Sequence, residues 1–234
     1  MSAIPAKLQA VRLAMKAAAS RAGRDPDSVQ LLAVSKTKPA ADVLEAALAG
    51  QRDFGENYVQ EGVDKIAALG PLLPPGCSLV WHFIGPLQSN KTRPVAEHFD
   101  WVHSIDRLKV AQRLSGQRPA HLAPLQVCVQ VNVSGEASKS GCAPAEVADL
   151  CRAVAALPRL RLRGLMTIPA PVDDFESQRR PLRQLRLLQA DLVAQGLALD
   201  TLSMGMSHDL EAAIFEGSTL VRVGTAIFGA RNTI

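Results

Sequence analysis

The stretch that decides the fold is QLLAVSKTKP, residues 30–39. Its apolar run, residues 31–34, has the length and composition of a buried strand, and Pro39 marks the point where the chain turns. Lys36 stands between the two. A buried, unpaired ammonium is strongly unfavourable, so a lysine here is either solvated or deprotonated, and a deprotonated amine is a nucleophile. The local pattern leaves both interpretations open.

The same order of apolar run, turn and helical pattern recurs along the chain. It predicts strands at 30–35, 52–55, 79–84, 100–103, 125–133, 161–167, 199–202 and 219–223. The predicted helices are 3–22, 39–49, 57–69, 87–98, 106–115, 144–156, 174–195, 209–216 and a short segment from about 226. Alternation of strands and helices is typical of a parallel sheet. Strands that are apolar throughout, such as 125–133, indicate a sheet covered on both faces.

Eight such units in 234 residues favour a closed barrel over an open doubly wound sheet. The open sheet also needs a glycine-rich fingerprint after its first strand, where residues 35–38 read Ser-Lys-Thr-Lys instead. The prediction is an α/β fold, a single (β/α)8 TIM barrel spanning 1–234. Residues 1–24 form an extra N-terminal helix that packs on the barrel.

Composition narrows the class of protein. With 47% hydrophobic and 21% charged residues, the chain is typical of a globular protein with a large core. Its N-terminus lacks the apolar region of a secretory signal, and no run approaches the roughly 20 apolar residues of a membrane span. We therefore expect a cytoplasmic protein without a membrane partner. The four cysteines form no C-x-x-C pair, which predicts free buried thiols and no metal site.

The formal charge of +4 and a pI near 9.0 raise a nucleic-acid-binding module as an alternative. Arginines supply the excess, in 159–163 and 179–186, where they recur with leucines as on a solvated helix or strand face. Only 4% of residues are aromatic, and no RNA-binding or helix-turn-helix signature is present. The expectation is therefore a solvated face and no nucleic-acid partner.

The barrel prediction places a site at the carboxyl ends of the strands, with phosphate bound by the loops after strands 7 and 8. Those loops carry Ser207 after strand 7, and Gly224 and Thr225 after strand 8. Small residues let backbone N–H groups approach a phosphate, and the two hydroxyls can donate to it. Arg222 interrupts an apolar strand and must face something polar. Asn57 ends strand 2, where its amide could approach a ligand or order the lysine.

Seven motifs then occur in a consistent order. They are AVSKTKP at 33–39, FGENYVQE at 54–61, WHFIGPLQSNK at 81–91, NVSGEASKSG at 132–141, RGLMTIP at 163–169, SMGMSHDLEAAI at 203–214 and VRVGTAIFGAR at 221–231. Together they resemble the pyridoxal phosphate homeostasis proteins, which are similar to the isolated N-terminal barrel of the alanine racemase group of fold-type III enzymes. The resemblance covers about 31–231.

The resemblance implies pyridoxal 5′-phosphate (PLP) as the cofactor, held by Lys36 as an internal aldimine. It implies that Arg222 faces the pyridine nitrogen and keeps it unprotonated, which weakens the ring as an electron sink. Lys38 is a competing amine, disfavoured because Pro39 already turns the chain. Lys139, on the loop after strand 5, could supply a secondary amine for PLP, but an ordinary surface lysine is the favoured interpretation. His82, alone on an apolar strand, is expected to be a satisfied core residue.

The implied role is binding, buffering or delivery of PLP, affecting amino-acid and keto-acid balance, with apo PLP-dependent enzymes as possible recipients. A monomer or weak dimer is expected. The alternative is an amino-acid racemase, which needs a second proton carrier, a tyrosine from a C-terminal β domain. The sequence holds one tyrosine, Tyr58, and ends at Ile234, so a non-catalytic protein with an open site is expected. A Schiff-base aldolase is disfavoured because strand 1 is an unusual place for its lysine.

Overall fold

The computed structural model describes residues 3–135 and 140–230. Eight parallel strands form a closed barrel in chain order, and β8 pairs with β1 to close it. The strands are β1 Gln30–Val34, β2 Asp53–Glu56, β3 Val80–Phe83, β4 Trp101–Ile105, β5 Leu125–Gln130, β6 Leu160–Met166, β7 Thr201–Ser203 and β8 Leu220–Val223. The predicted (β/α)8 barrel is confirmed.

Helices follow the strands around the outside of the barrel. They are α1 Ile4–Arg21, α2 Ala40–Leu48, α3 Val59–Leu69, α4 Thr92–His98, α5 Leu108–Gln117, α6 Val147–Ala155, α7 Phe175–Ala194, α8 Leu210–Phe215 and α9 Thr225–Phe228. Single 3-10 turns precede α4 and α6 and follow α3. In the described part of the chain, every helix is too short or too polar to span a membrane.

The extra N-terminal helix, α1, covers the seam where β8 meets β1. It packs against α2, α8 and α9, and its apolar face, with Leu8 and Met15, is buried. Arg12 fixes it further, because its guanidinium donates to the carbonyl of Gly50 at 3.0 Å. The predicted supporting helix is therefore present and lies on the barrel closure.

Most predicted boundaries differ from the structure by one to three residues, and the helix predicted from residue 87 begins at Thr92. Two of the differences have a cause that the structure shows. The strand predicted to run to residue 133 ends at Gln130, since Val131 forms an isolated bridge with Cys142 as the chain folds back. The helix predicted from residue 57 begins at Val59, because the preceding Tyr58 is in an extended conformation. Both differences lie at the carboxyl ends of strands, where loop contacts override the periodic pattern.

The arginines of α7 were predicted to lie on a solvated face, but three of them contact a buried carboxylate. Arg179, Arg183 and Arg186 approach the carboxylate of Glu216 at 2.7, 2.9 and 3.5 Å. That carboxylate is only 2% exposed. Burial works against its ionisation, but the hydrogen bonds from Arg183 and Arg179 outweigh burial and lower the pKa of Glu216. The three arginines therefore tie α7 to the end of α8.

Candidate functional site

A cavity of about 310 Å³ opens at the carboxyl ends of the strands. All six residues predicted for the site line it: Lys36, Asn57, Ser207, Arg222, Gly224 and Thr225. Val34, Ile84, Ile168, Met206 and His208 complete the lining. The barrel thus brings together residues from both ends of the sequence, as the strand order requires.

Lys36 sits in a tight turn directly after β1. The backbone N–H of Lys38 donates to the carbonyl of Ser35 at 3.1 Å, and Thr37 has a φ of 61°. A β-branched residue rarely adopts that left-handed conformation, but here its N–H donates to Glu61 Oε1 at 2.6 Å. A side chain of α3 therefore holds the turn that carries Lys36.

The competing amine lies elsewhere. Lys38 Nζ donates to the carbonyl oxygen of Ala230 at 2.6 Å, whereas Lys36 lines the cavity. Lys139 lies outside the described residues.

A buried charge cluster, which sequence reasoning missed, lies behind the Lys36 turn. Lys65 Nζ donates to the carbonyl of Ser35 at 2.6 Å, to Glu56 Oε1 at 2.8 Å and to Glu61 Oε1 at 2.7 Å. Ser35 Oγ also donates to Glu56 at 2.6 Å. Burial raises the pKa of Glu56, and the hydrogen bonds from Lys65 and Ser35 offset part of that rise. A glutamate ending a buried strand was the signal available in the sequence.

Arg222 is a positioned cation in the barrel interior. It is 4% exposed. Its Nη1 donates to Ser203 O at 2.7 Å and to Ser203 Oγ at 2.8 Å, and its Nη2 donates to Thr167 O at 2.9 Å. Burial lowers the pKa of Arg222 to about 10, so the guanidinium stays protonated at neutral pH.

Glycines let the loops after β7 and β8 lie close to the barrel. Gly205 has a φ of +100°, and a Cβ there would lie 2.5 Å from Ala213 Cβ. At Gly224, a Cβ would lie 3.1 Å from the carbonyl oxygen of Val34 on β1. Ser207 and Thr225, beside them, are exposed at the rim. Thr225 opens α9, whose first N–H groups have no partner within the helix, as in any helix.

Asn57 carries an unusual atom. Its Oδ1 is buried and has no hydrogen-bond partner within the described part of the chain. Buried polar atoms are nearly always paired, so an orphaned acceptor in a cavity wall indicates a missing partner. A Cβ at Gly85 would lie 2.3 Å from the Asn57 carbonyl oxygen, so only glycine there accommodates this segment.

His82 is a satisfied core residue, as expected. Its Nε2 lies 3.1 Å from Asp53 Oδ1, and its Nδ1 lies 2.9 Å from His103 Nε2. His103 in turn contacts Ser203 Oγ through Nδ1 at 2.7 Å. Sequence reasoning missed His103 and the link to Arg222. The available signal was a second histidine on the next apolar strand, since WH at 81–82 is followed by WVH at 101–103. Within residues 3–135 and 140–230, no cluster of His, Cys, Asp and Glu could hold a metal ion.

Comparisons with known proteins agree with this geometry. The family model described as "Alanine racemase, N-terminal domain" matches residues 7–232. A protein of Pseudomonas aeruginosa named "Pyridoxal phosphate homeostasis protein" is 62% identical over 232 residues, covering 99% of this chain and 97% of the relative.

Solved structures give the same result. PipY of Synechococcus elongatus PCC7942, solved with PLP bound, is 39% identical with a TM-score of 0.82, covering 97% of this chain and 100% of PipY. Alanine racemase from Corynebacterium glutamicum is 19% identical with a TM-score of 0.68 and shares only the fold; the match covers 95% of this chain and 62% of the racemase. Because the high-identity match extends over nearly the full length of both sequences, the chain belongs to the pyridoxal phosphate homeostasis protein family.

Proposed function

We propose that this protein binds PLP covalently through Lys36 and serves to hold, buffer or deliver it, with consequences for amino-acid and keto-acid balance. The observation that carries the proposal is the cavity itself. Six residues, chosen from the sequence for an amine, a cation, an amide and a phosphate cradle, line one cavity at the carboxyl ends of the strands. The Pseudomonas aeruginosa relative is named a pyridoxal phosphate homeostasis protein, and PipY was solved with PLP bound.

The residues present fit the chemistry of the group. PLP has an aldehyde, a pyridine nitrogen and a phosphate, and the cavity offers an amine, a guanidinium, and hydroxyl and backbone donors for these groups. The orphaned Oδ1 of Asn57 shows that at least one wall atom lacks its partner among the described residues. Glycine at 205 and 224 keeps the loops after β7 and β8 compact, which leaves room for an anion at their rim.

Each residue has a separate task in the proposal. When bound, the cofactor supplies an aldehyde carbon that condenses with a primary amine and releases water. Lys36 presents that amine from a turn held by α3. Arg222 places a protonated guanidinium in the barrel interior. Ser207, Gly224 and Thr225 hold the phosphate with hydroxyl and backbone donors.

A carrier role is favoured by the exposure of the site. Ser207 and Thr225 are exposed, and Lys36 is partly exposed, so another amine reaches the cavity from solvent. We propose that apo PLP-dependent enzymes are the recipients. We also propose that the protein is cytoplasmic and is a monomer or a weak dimer.

The same arrangement disfavours efficient catalysis. Racemisation needs proton carriers on both faces of the cofactor, and the only tyrosine in the sequence, Tyr58, is 56% exposed at the N-cap of α3. Arg222 holds its proton and gives none to the ring nitrogen. Abstraction of an α-proton gains little stabilisation from an unprotonated ring.

One spectrum tests the binding claim. Purified protein mixed with PLP should gain a visible absorbance band that borohydride abolishes, with the label then found on Lys36 by peptide mass spectrometry. An unmodified Lys36 after reduction would overturn the proposal. Delivery is measured by mixing loaded protein with an apo PLP-dependent enzyme and comparing its reactivation rate with that given by equal free PLP.

A second experiment separates the carrier from the racemase alternative. The loaded protein is incubated with L-alanine in deuterated water, and α-proton exchange and D-alanine are followed. We expect a spectral shift with little exchange. Turnover of about 1 s⁻¹ or more, the lower end of ordinary enzymes, would favour the racemase.

A further inference from the structure

A chain of hydrogen-bonded side chains crosses the barrel interior from Arg222 to Asp53. Its links are Arg222 Nη1 to Ser203 Oγ at 2.8 Å, Ser203 Oγ to His103 Nδ1 at 2.7 Å, His103 Nε2 to His82 Nδ1 at 2.9 Å, and His82 Nε2 to Asp53 Oδ1 at 3.1 Å. All four distances between donor and acceptor atoms lie in the range of hydrogen bonds. Arg222 lines the cavity described above, whereas Asp53 lines another cavity at the opposite pole.

The two groups at the ends of this series, Arg222 and Asp53, determine the direction in which its hydrogen bonds are donated. Arg222 only donates, and the Asp53 carboxylate only accepts. With both imidazoles neutral, Asp53 accepts from His82 Nε2–H, which leaves His82 Nδ1 to accept from His103 Nε2–H. His103 Nδ1 then accepts the Ser203 hydroxyl hydrogen, so every donor points from Arg222 towards Asp53.

Burial supports the neutral state of the central ring. Ser203, His103 and His82 are all 0% exposed. Burial, followed by electrostatic interactions with His82 and Arg222, lowers the pKa of His103 well below its usual value. The interior of such barrels is ordinarily filled by branched apolar side chains, and polar groups there are costly unless each is paired. Packing alone therefore gives no reason for this row of polar groups.

We infer that Ser203, His103, His82 and Asp53 are positioning residues for Arg222. Ser203 holds one guanidinium nitrogen through both of its oxygens, while Thr167 O holds the other. His103 takes the Ser203 hydrogen, so the lone pairs of Ser203 Oγ remain directed at Arg222. The inference rests on the proposed function for the role of Arg222 towards the cofactor.

Asp53 and His82 act at a distance in this arrangement. The carboxylate fixes the tautomer of His82, and His82 fixes that of His103. The orientation of the cation in the cofactor cavity is thereby set from the opposite pole of the barrel. In a low-dielectric interior, successive hydrogen bonds of this kind polarise one another.

The first test uses the wild-type protein without cofactor. Long-range ¹H–¹⁵N NMR distinguishes the two neutral imidazole tautomers from the doubly protonated ring, and His82→Gln and His103→Gln assign the signals among the five histidines. Both rings should be neutral with hydrogen on Nε2. A His103 ring carrying hydrogen on Nδ1 would overturn the inference, because Ser203 would then receive that hydrogen instead of donating.

Asp53→Asn sharpens the same measurement. The amide can donate as well as accept, so the preference of both rings for the Nε2–H form should weaken to a mixture. Asp27→Asn is the matched control, because Asp27 lines the same polar cavity but pairs with Lys16 at 2.7 Å. Unchanged tautomers in Asp53→Asn would show that Asp53 does not set the direction.

The second test asks whether the chain matters to the bound cofactor. Ser203→Ala should weaken PLP binding by about tenfold, the lower end for loss of a charge-assisted hydrogen bond, and should shift the absorbance maximum. Ser203→Thr keeps the hydroxyl and should restore both. Ser104→Ala is the control, since Ser104 is also buried, at 3% exposed, and its Oγ has no hydrogen-bond partner among the described residues.

The outcomes separate the two proposals. If wild type forms no reducible adduct with PLP, the proposed function fails while the NMR measurement still decides the direction of the chain. If wild type binds PLP and Ser203→Ala binds it with the same affinity and spectrum, the positioning role fails and the proposed function stands.

Discussion

Two cavities lie at opposite poles of the barrel, and the candidate site is the smaller of these two. The cavity at the amino-terminal pole measures about 460 Å³, against about 310 Å³ for the cavity that Lys36 lines at the carboxyl pole. Charged side chains line both. Size therefore does not identify the site; the kinds of groups that each cavity presents do.

At the amino-terminal pole the charged groups bind the protein itself. Lys16 pairs with Asp27 at 2.7 Å, and Arg52 donates to the carbonyl of Ala47 at 2.7 Å. At the carboxyl pole, exposed hydroxyls and an orphaned amide oxygen surround Lys36. Strand direction explains the difference, because the loops after the strands carry the chemistry in this fold while the opposite loops carry stability.

The largest expected effect is loss of the covalent adduct in Lys36→Ala. The residue lies in the turn after β1 and not in the packed interior, so the fold should remain while the borohydride-reducible absorbance disappears. Circular dichroism checks the fold, and absorbance after reduction checks the adduct.

Lys38→Ala is the matched control, since Lys38 Nζ binds Ala230 O. It should retain the full band. A reducible band that survives in Lys36→Ala would show that PLP is attached to another amine.

Phosphate anchoring should give the next largest effect. Ser207→Ala or Thr225→Val removes a donor to a charged acceptor, a loss of about 1.5–3 kcal/mol, and pyridoxal should bind far more weakly than PLP. Spectrophotometric titration of both aldehydes measures this. Ser28→Ala, at the turn entering β1 from the other pole, should leave both affinities unchanged. Equal affinity for pyridoxal and PLP would remove the phosphate from these loops.

A smaller effect is expected at the amino-terminal pole. The ion pair of Lys16 and Asp27 is 52% and 74% exposed, and exposed pairs contribute about 0–1 kcal/mol. Lys16→Ala should therefore shift the denaturation midpoint only slightly and leave PLP affinity unchanged. A clear loss of PLP affinity would mean that the two poles are coupled outside the interior chain of hydrogen bonds.

The smallest effect is expected from thiol chemistry. Cys128, Cys142 and Cys151 are buried, and burial raises the pKa of Cys142 to about 11 and that of Cys151 to about 12. Their thiolate fraction at pH 8 is therefore about 10⁻³ or less. Cys77, partly exposed in the loop before β3, should be the one thiol that reacts with Ellman's reagent.

Denaturation should release the remaining three thiols to the reagent. Modified Cys77 should leave PLP binding unaltered, because this loop lies at the amino-terminal pole. More than one reactive thiol in the native protein would contradict the described burial.

The barrel was predictable because its signals are local. Apolar runs, turns and helical periods each occupy a few neighbouring residues, and the strand order follows from their alternation. The predicted boundary was wrong where a contact with a residue farther along the chain ends the strand. Val131, for example, forms an isolated bridge with Cys142. No periodicity in 125–133 encodes that partner.

Individual site residues were predictable where a charged side chain occurs in an apolar segment, because burying an unpaired charge there is unfavourable. A lysine at a strand mouth and an arginine inside an apolar strand each stand out, and the structure places both in one cavity wall; their roles remain proposals. His103 and Ser203 were missed as a pair because they touch at 2.7 Å although 100 positions apart. Their interaction exists only after the barrel closes.

The closure between β1 and β8 has a consequence for synthesis. Lys38 and Ala230 touch at 2.6 Å although 192 positions apart, and Lys36 and Arg222 are brought together by the same two strands. Pairing of such distant segments is intrinsically slow, because the entropy of closing a long loop opposes it. A nascent chain still lacking β8 on the ribosome has its lysine but neither the cation nor the loop after β8. If the proposed function is correct, the complete set of groups for the cofactor therefore exists only when nearly the whole barrel has been translated.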